Sequence, residues 1–333
     1  MGRQVPRGPR SGSPRRQAGG DARGQRSDHG YHLPVMADEI LENLVIDPAG
    51  LYVDATMGGG GHSGRILEKL GPQGGLLGLD RDMEAVERNK AAFANEPRVR
   101  VRRAEFSRLA EFCDPESLAG VLFDLGVSSR QLDAKERGFS FTPGTALDMR
   151  MGSEGPAAAD LLAGWDEYQL SVVLRRNADV VEGKRLARHI VAAVEQGEEM
   201  NSDLIRKAVE KLPGVREDNR NSLLARVFQA IRMEVNDEMG QVEMGLRAAV
   251  ACLRKGGRLC VLSYHSVEDR RVKDTLAEFE KDCICPQNLP VCVCGSNNRR
   301  LRKVLRKPGL PTDAERERNP RARSAKLRVM EKV

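Results

Sequence analysis

Tyr52-Val53-Asp54-Ala55-Thr56-Met57-Gly58-Gly59-Gly60-Gly61-His62-Ser63-Gly64 passes from a short apolar run, through four consecutive glycines, into a stretch able to start a helix. Gly59, Gly61 and Gly64 fit the spacing of the dinucleotide fingerprint. Asp80 lies about 20 residues beyond Gly59, where the acid that holds a ribose is expected. Glycine lets the backbone turn tightly and approach a ligand closely. A helix that follows such a turn aims unpaired N–H groups back at that ligand. The spacing alone is weak evidence. Here a strand precedes it, a helix follows it and an acid ends the next strand, so a nucleotide-type site is expected rather than an ordinary glycine-rich loop.

Outward from this stretch the pattern alternates short apolar runs with helix-length segments. Strands are expected at 51–54, 76–80, 99–101 and 121–124, with helices at 62–70 and 82–95 between them. A helix before the first strand carries Val35, Ile40, Leu41 and Leu44 on its apolar side. This alternation predicts an α/β, Rossmann-like fold with a parallel, doubly wound sheet covered on both faces. Asp54, Asp80 and Asp124 each end a strand, so all three point at one crevice at the carboxyl edge. From about Gly138 the pattern turns helical, at 160–162, 168–176, 184–196 and 202–211, with Trp165 between two of these segments. We expect an inserted helical subdomain over 138–215 and one long helix, 222–253, leading back to the sheet. Gly256-Gly257 would end that helix, and a fifth strand, 258–263, would precede Tyr264-His265-Ser266 and a helix over 267–280. The parts 29–137 and 216–333 would then form one domain around the crevice.

Charge is unevenly placed. The chain totals +6. Residues 1–28 carry +5 in an Arg, Gly, Pro, Ser and Gln composition that cannot bury enough surface to offset chain entropy, so a disordered basic tail is expected there. Residues 295–333 carry +9, which leaves −8 for the body between the two ends. Basic ends on an acidic body suggest a polyanionic partner. Aromatics are only 4%, which argues against base stacking on aromatic platforms. No apolar run approaches the roughly 20 residues of a membrane span, and no signal-peptide core is present, so a cytoplasmic protein without membrane contact is expected. Nothing in the pattern selects an oligomeric state.

An acid at the end of the second strand suits the ribose of NAD or of S-adenosylmethionine equally. A dehydrogenase normally adds a second nucleotide-binding half, and no second glycine fingerprint is seen. Asp124, followed by Leu125-Gly126-Val127-Ser128-Ser129, sits where a methyltransferase places the group that meets the target atom. Methyl transfer to an exocyclic amine needs an aimed lone pair, excluded water and an acceptor for the N–H protons.

Tyr31-His32-Leu33-Pro34-Val35-Met36, the glycine stretch from Val53 to Ser63, and Gly78-Leu79-Asp80-Arg81-Asp82 resemble motifs of the bacterial RsmH/MraW family. So do the segments from Phe123 to Asp133, Glu136 to Phe141 and Leu147 to Met151. Phe228-Gln229-Ala230-Ile231-Arg232, His265-Ser266-Val267-Glu268-Asp269-Arg270 and the segment from Asn319 to Arg328 complete the match in order. The resemblance implies a class I S-adenosylmethionine-dependent methyltransferase with an inserted helical domain, acting on N4 of a decoding-centre cytosine in small-subunit ribosomal RNA, free or in the 30S particle. It implies cofactor contacts at Gly60, Gly61, His62, Asp80, Phe106, Asp124 and Gln131, with Phe106 against the adenine. Asp124 with Ser128 or Ser129 would be nearest the amine. The chain departs from the family at 177–182 and 221–225, and reads Tyr264 where the family has Phe. An NAD-dependent oxidoreductase and a non-catalytic RNA-binding relative are the alternatives.

Some residues carry two readings. His265 could orient the target base or bind phosphate, while Ser266 could simply cap the next helix. Arg137 and Arg150 could pair internally or meet phosphates, with Asp148 in a structural role. Arg321, Arg323, Lys326 and Arg328 alternate at strand spacing and could track phosphates. Cys113, Cys252 and Cys260 sit in apolar runs as core residues. Cys283, Cys285, Cys292 and Cys294 form two CxC pairs, which suit a structural zinc site with four cysteine ligands or a surface loop of reduced thiols.

Overall fold

The computed structural model describes residues 1–2, 34–286, 289 and 291–333. The basic tail expected over 1–28 lies outside the described residues apart from its first two, as does the 31–33 part of the N-terminal signature.

Helix α1 (Ala37–Leu44) buries Ile40, Leu41 and Leu44, the apolar side that the sequence showed. The alternating units then follow: β1 (Leu51–Asp54), α2 (Gly61–Lys69), β2 (Gly75–Asp80), α3 (Met83–Ala92), β3 (Val99–Arg103) and β4 (Leu118–Asp124). A short helix, α4 (Ser129–Asp133), follows β4. Helices α5 (Ala158–Gly164), α6 (Glu167–Ala178), α7 (Gly183–Glu195) and α8 (Ser202–Glu210) fill the next stretch. Then come α9 (Glu217–Val235), α10 (Glu238–Cys252), β5 (Leu253–Ser263), α11 (Ser266–Phe279), β6 (Leu301–Lys303), α12 (Asp313–Arg318) and β7 (Lys326–Lys332).

The described strands make one seven-stranded sheet in the order β3-β2-β1-β4-β5-β7-β6. The five strands β1 to β5 run parallel, as the alternation implied. The sheet is not parallel throughout: β7 pairs antiparallel with β5, and β6 with β7. The reason is the connection. α11 crosses back after β5 so that β6 runs in the same sense as β5 at the sheet edge, and the chain then turns back to lay β7 between them, antiparallel to both.

Successive residues of each central strand serve opposite layers. Val121, Phe123, Leu259 and Val261 join the core under α10 and α11. Leu122, Cys260 and Leu262 join the core under α1 and α2. Strands covered on both faces therefore read as unbroken apolar runs. Cys113, Cys252 and Cys260 are buried, as their surroundings suggested.

A second core belongs to the helices. It joins Leu147 and Met149 to residues of α5 to α9, and Trp165 packs against it from a half-buried position. α9, which lies after the expected boundary at residue 215, lends Leu223, Leu224, Val227, Phe228, Ala230 and Ile231 to that cluster. The single long helix expected at 222–253 is two helices. Asp237 takes a left-handed conformation, φ 44°, and Asn236 turns its side chain onto loop backbone instead of continuing the helix. Local side-chain bonding of this kind competes with helix propagation. β5 also begins earlier than expected, at Leu253, with Gly256 at φ 80° in the irregular stretch where the register to β4 shifts.

Candidate active site

Order in the sheet places the site. β1 and β4 are neighbours from which the connections run in opposite directions, which is where ligands of such sheets bind. Asp54 and Asp124 end these two strands, and Asp80 ends β2 beside them.

The glycine turn links β1 to α2. Gly58 and Gly60 have φ 50° and 81°, a region that L side chains rarely adopt. A Cβ on Gly60 would also meet Asn89 Oδ1 at 2.3 Å. Asn89 holds the turn from α3, donating to the carbonyls of Gly58 and Ala85 at 2.8 Å each. Its buried Oδ1 has no hydrogen-bond partner. Gly60 caps α2, so the first amides of that helix, at Gly61 and His62, have no partner within it.

Asp80 binds both ends of this cradle. Its Oδ2 accepts from Gly58 N at 2.7 Å and its Oδ1 from Asp82 N at 2.8 Å. Burial pushes its carboxyl up to about 6, against the pull of those two donors. Asp54 is 1% exposed and accepts from Ser63 Oγ at 2.6 Å and Thr56 N at 3.3 Å. Burial raises its pKa as well. These bonds tie the turn to the end of β1.

Asp124 is held from three sides. Its N–H donates to Thr56 Oγ1 at 2.7 Å. The Tyr264 hydroxyl donates to Oδ1 at 2.6 Å, and His62 Nε2 lies 3.3 Å from Oδ2. The imidazole lies close to Oδ2 but is not aligned for a hydrogen bond. Burial works against charge on His62, but the carboxylates of Asp124, Asp54 and Glu315 outweigh it and raise its pKa. Burial, with Asp124 alongside, puts the Tyr264 hydroxyl well above its usual range, so it stays a donor. The expected set thus comes together at Gly60, His62, Asp80 and Asp124.

The other expected residues lie around this centre. Ser128 caps α4 in a reciprocal box: its Oγ accepts from Gln131 N at 3.3 Å, and Gln131 Oε1 accepts from Ser128 N at 2.9 Å. Gln131 Nε2 donates to Asp82 Oδ2 at 3.3 Å. The side chain of Ser129 lies outside the described residues. Phe106 meets Phe123 edge-on at 5.5 Å, in space left by Gly245, whose Cβ would stand 2.6 Å from the ring.

His265, not Ser266, is the N-cap of α11: its Nδ1 accepts from Glu268 N at 3.3 Å. Burial, reinforced by Arg232, drives His265 down to about 3, so it is neutral near pH 7. Glu268 is buried and pushed up to about 8, with Oε2 accepting from Tyr264 N at 2.7 Å. Arg137 pairs inward, with Asp82 at 2.9 Å and with the carbonyls of Arg150 and Met151. Arg150 chelates Asp148, in line with the structural role expected of that acid. Lys326 and Arg328 both bind Asp269, at 3.0 and 2.7 Å, and Arg321 and Arg323 sit in a 3-10 turn rather than a strand. The four loop cysteines bring their Sγ atoms within 4.8 Å of one another.

Sequence reasoning left Tyr264, Thr56, Asn89 and Asp82 without roles. Tyr264 was within reach, because it directly follows a strand that ends in the same crevice.

A family profile described as the MraW methylase family matches residues 29–333. A protein named ribosomal RNA small subunit methyltransferase H from Caldicellulosiruptor saccharolyticus is 42% identical over 311 residues, covering 91% of this chain and 99% of its own. One of the same name from Pelobacter propionicus is 42% identical over 315 residues, covering 91% and 98%. One from Symbiobacterium thermophilum is 41% identical over 311 residues, covering 91% and 97%. With strand-end acids, glycine cradle and an almost full-length match in agreement, the chain belongs to the MraW methylase family.

Proposed function

We propose that this protein transfers a methyl group from S-adenosylmethionine to the N4 amine of a cytosine in small-subunit ribosomal RNA, working in the cytoplasm on the free RNA or the 30S particle. The observation that carries this is Asp124, fixed at the switch point by Tyr264 and His62 and adjoining the Gly58–Asp80 cradle. Membership in a methylase family decides between cofactors whose ribose Asp80 would suit equally.

The residues present fit S-adenosylmethionine. Each oxygen of Asp80 accepts one backbone N–H, and each keeps a lone pair for a ribose hydroxyl. Gly60, Gly61 and His62 would let the backbone come close, where a side chain on Gly60 would collide. Phe106, braced by Phe123, would lie against the adenine. Gln131 has one amide hydrogen left after binding Asp82, and Ser128 can still donate its hydroxyl. When bound, the cofactor supplies an electrophilic methyl on a sulfonium.

Asp124 would accept an N–H of the cytosine amine, drawing density onto nitrogen and receiving the proton that must leave. Its two oxygens each retain capacity beyond Tyr264 and His62. His265 is neutral and tied into the cap of α11, so it shapes the wall beside Tyr264 rather than moving a proton.

The test is tritium transfer from labelled S-adenosylmethionine to small ribosomal subunits lacking the decoding-centre modification. Wild type should label one cytosine. Asp80→Ala should lose cofactor affinity. Asp124→Asn should transfer at least about 100-fold more slowly even when saturated with cofactor. Cofactor binding by wild type without label on any cytosine would overturn the proposal.

A further inference from the structure

The loop between α11 and β6 holds four cysteines that the methyl-transfer site does not use. Its composition poses a stability problem. No described residue from Lys281 to Arg300 is buried, and Ile284, Val291 and Val293 are 62%, 70% and 78% exposed. A segment without a core needs another device to hold one shape. The base of the loop is closed by hydrogen bonds: Arg300 N donates to Phe279 O at 2.8 Å, and Asn298 N to Asp282 O at 3.1 Å. Those bonds leave the tip, with its two CxC pairs, unexplained.

The sulfur geometry supplies the explanation. Cys283 and Cys292 stand 3.6 Å apart, Cys292 and Cys294 3.6 Å, Cys283 and Cys294 3.8 Å, and Cys285 and Cys292 4.0 Å. Four thiolates at about 2.3 Å around one tetrahedral ion have edges of about 3.8 Å. A disulfide would bring two sulfurs to about 2.05 Å, and all four cysteines are free. The backbone follows a reciprocal pattern. Ile284, in the middle of the first CxC, donates its N–H to Cys294 Sγ at 3.4 Å, and Val293, in the middle of the second, donates to Cys285 Sγ at 3.3 Å. Amide hydrogens aimed at sulfur are the outer-shell support a metal thiolate uses.

We infer that Cys283, Cys285, Cys292 and Cys294 bind one zinc ion as a closed, four-thiolate structural site that clips the end of α11 to the start of β6. All four positions of the tetrahedron are protein ligands, so no coordination position is open for a substrate. The four cysteines include none of the residues of the crevice, and this inference stands independently of the RNA substrate proposed above.

The test uses the full chain, purified under reducing conditions without added metal. Elemental analysis should find one zinc per chain, and a thiol reagent under native conditions should release it. Removal by a chelator followed by cobalt should give the visible absorption of tetrahedral cobalt thiolate. A Cys283→Ser, Cys294→Ser variant should lose zinc while binding S-adenosylmethionine within about threefold of wild type, and proteases should then cut between 281 and 300. Metal-free protein with four reactive loop thiols, or with two disulfides, would overturn the inference. So would cobalt bound without thiolate absorption, which needs no variant to fold.

Discussion

Asp80 is the residue whose ionisation the site most depends on. Its carboxyl is held near 6 by burial, with the charges of Asp82 and Asp54 pushing the same way and two backbone donors opposing. A raised value means that the folded state holds the proton more tightly than the unfolded chain. The free protein therefore gives up stability as pH rises through about 6, and that contribution is fully present only below the ordinary carboxylate range. Ligand binding runs the other way, because the ionised form is the one that accepts two hydroxyls. Affinity for S-adenosylmethionine should fall as pH drops below 6 and be about tenfold weaker at pH 5. Asp80→Asn should bind weakly at every pH with a flat profile, measured by calorimetry. If the variant keeps the slope, the titrating group is His62 and not Asp80. Tyr264 makes the second residue-scale prediction. Its hydroxyl at 2.6 Å fixes one oxygen of Asp124, in a chain that resembles a family carrying Phe there. The hydroxyl therefore tunes the acid rather than creating it. Tyr264→Phe should lower kcat by up to about tenfold, the worth of one hydrogen bond, with cofactor affinity unchanged. An unaltered kcat would reduce the hydroxyl to a space-filling role.

Between α9 and α10 a single side chain joins two layers. Asn236 is 3% exposed; its Nδ2 donates to Met149 O and Arg232 O at 2.8 Å each, and its Oδ1 accepts from Met151 N at 2.8 Å. α9 on one side belongs to the helical core, and α10 on the other packs on the sheet. Asn236→Ala would leave buried backbone groups of the 149–151 loop without partners, at a cost of about 3 kcal/mol in thermal or chemical unfolding. Asn236→Asp should recover little, since it offers an acceptor but no N–H. An alanine variant as stable as wild type would show that water replaces the amide and that the joint is held by packing. This joint was not legible in the sequence. Neither Asn nor Asp breaks a helix strongly, and the partner loop lies some 85 residues away. The parallel strands and their acids were legible, because burial on both faces writes an apolar run ending in a polar residue. Of β7 only the strand spacing of Lys326 and Arg328 was visible, not its direction, which depends on a connection rather than on a pattern.

At the scale of the whole molecule the question is which basic end meets a polyanion. The C-terminal excess looked the stronger in sequence, at +9 against +5. In the structure much of it is answered within the chain. Lys326 and Arg328 are engaged by Asp269, whose side chain is only 12% exposed, so freeing them would strand a nearly buried carboxylate. Arg302 pairs with Glu331, Lys303 with Glu280, Arg299 with Asp282 and Arg321 with Asp133. The Arg299–Asp282 and Arg321–Asp133 pairs are exposed on both sides and cheap to exchange, whereas Asp269 and Glu331, whose side chains are 12% and 14% exposed, hold their partners more firmly. The strand-spaced row of phosphate contacts suggested by the sequence is therefore not available as a row. The seven arginines of residues 1–28 have only two acids among them. Each phosphate contact adds about 0.7 to 0.9 to the slope of log affinity against log salt. Removing residues 2–28 should reduce that slope by about 2 to 5 for small-subunit RNA, measured by filter binding across a salt series, while the modified nucleotide stays the same. Replacing Lys326 and Arg328 by Gln should leave the slope nearly unchanged and cost stability instead. A slope indifferent to the tail but halved by the two Gln substitutions would reverse the assignment, and would mean that Asp269 surrenders its partners when RNA arrives.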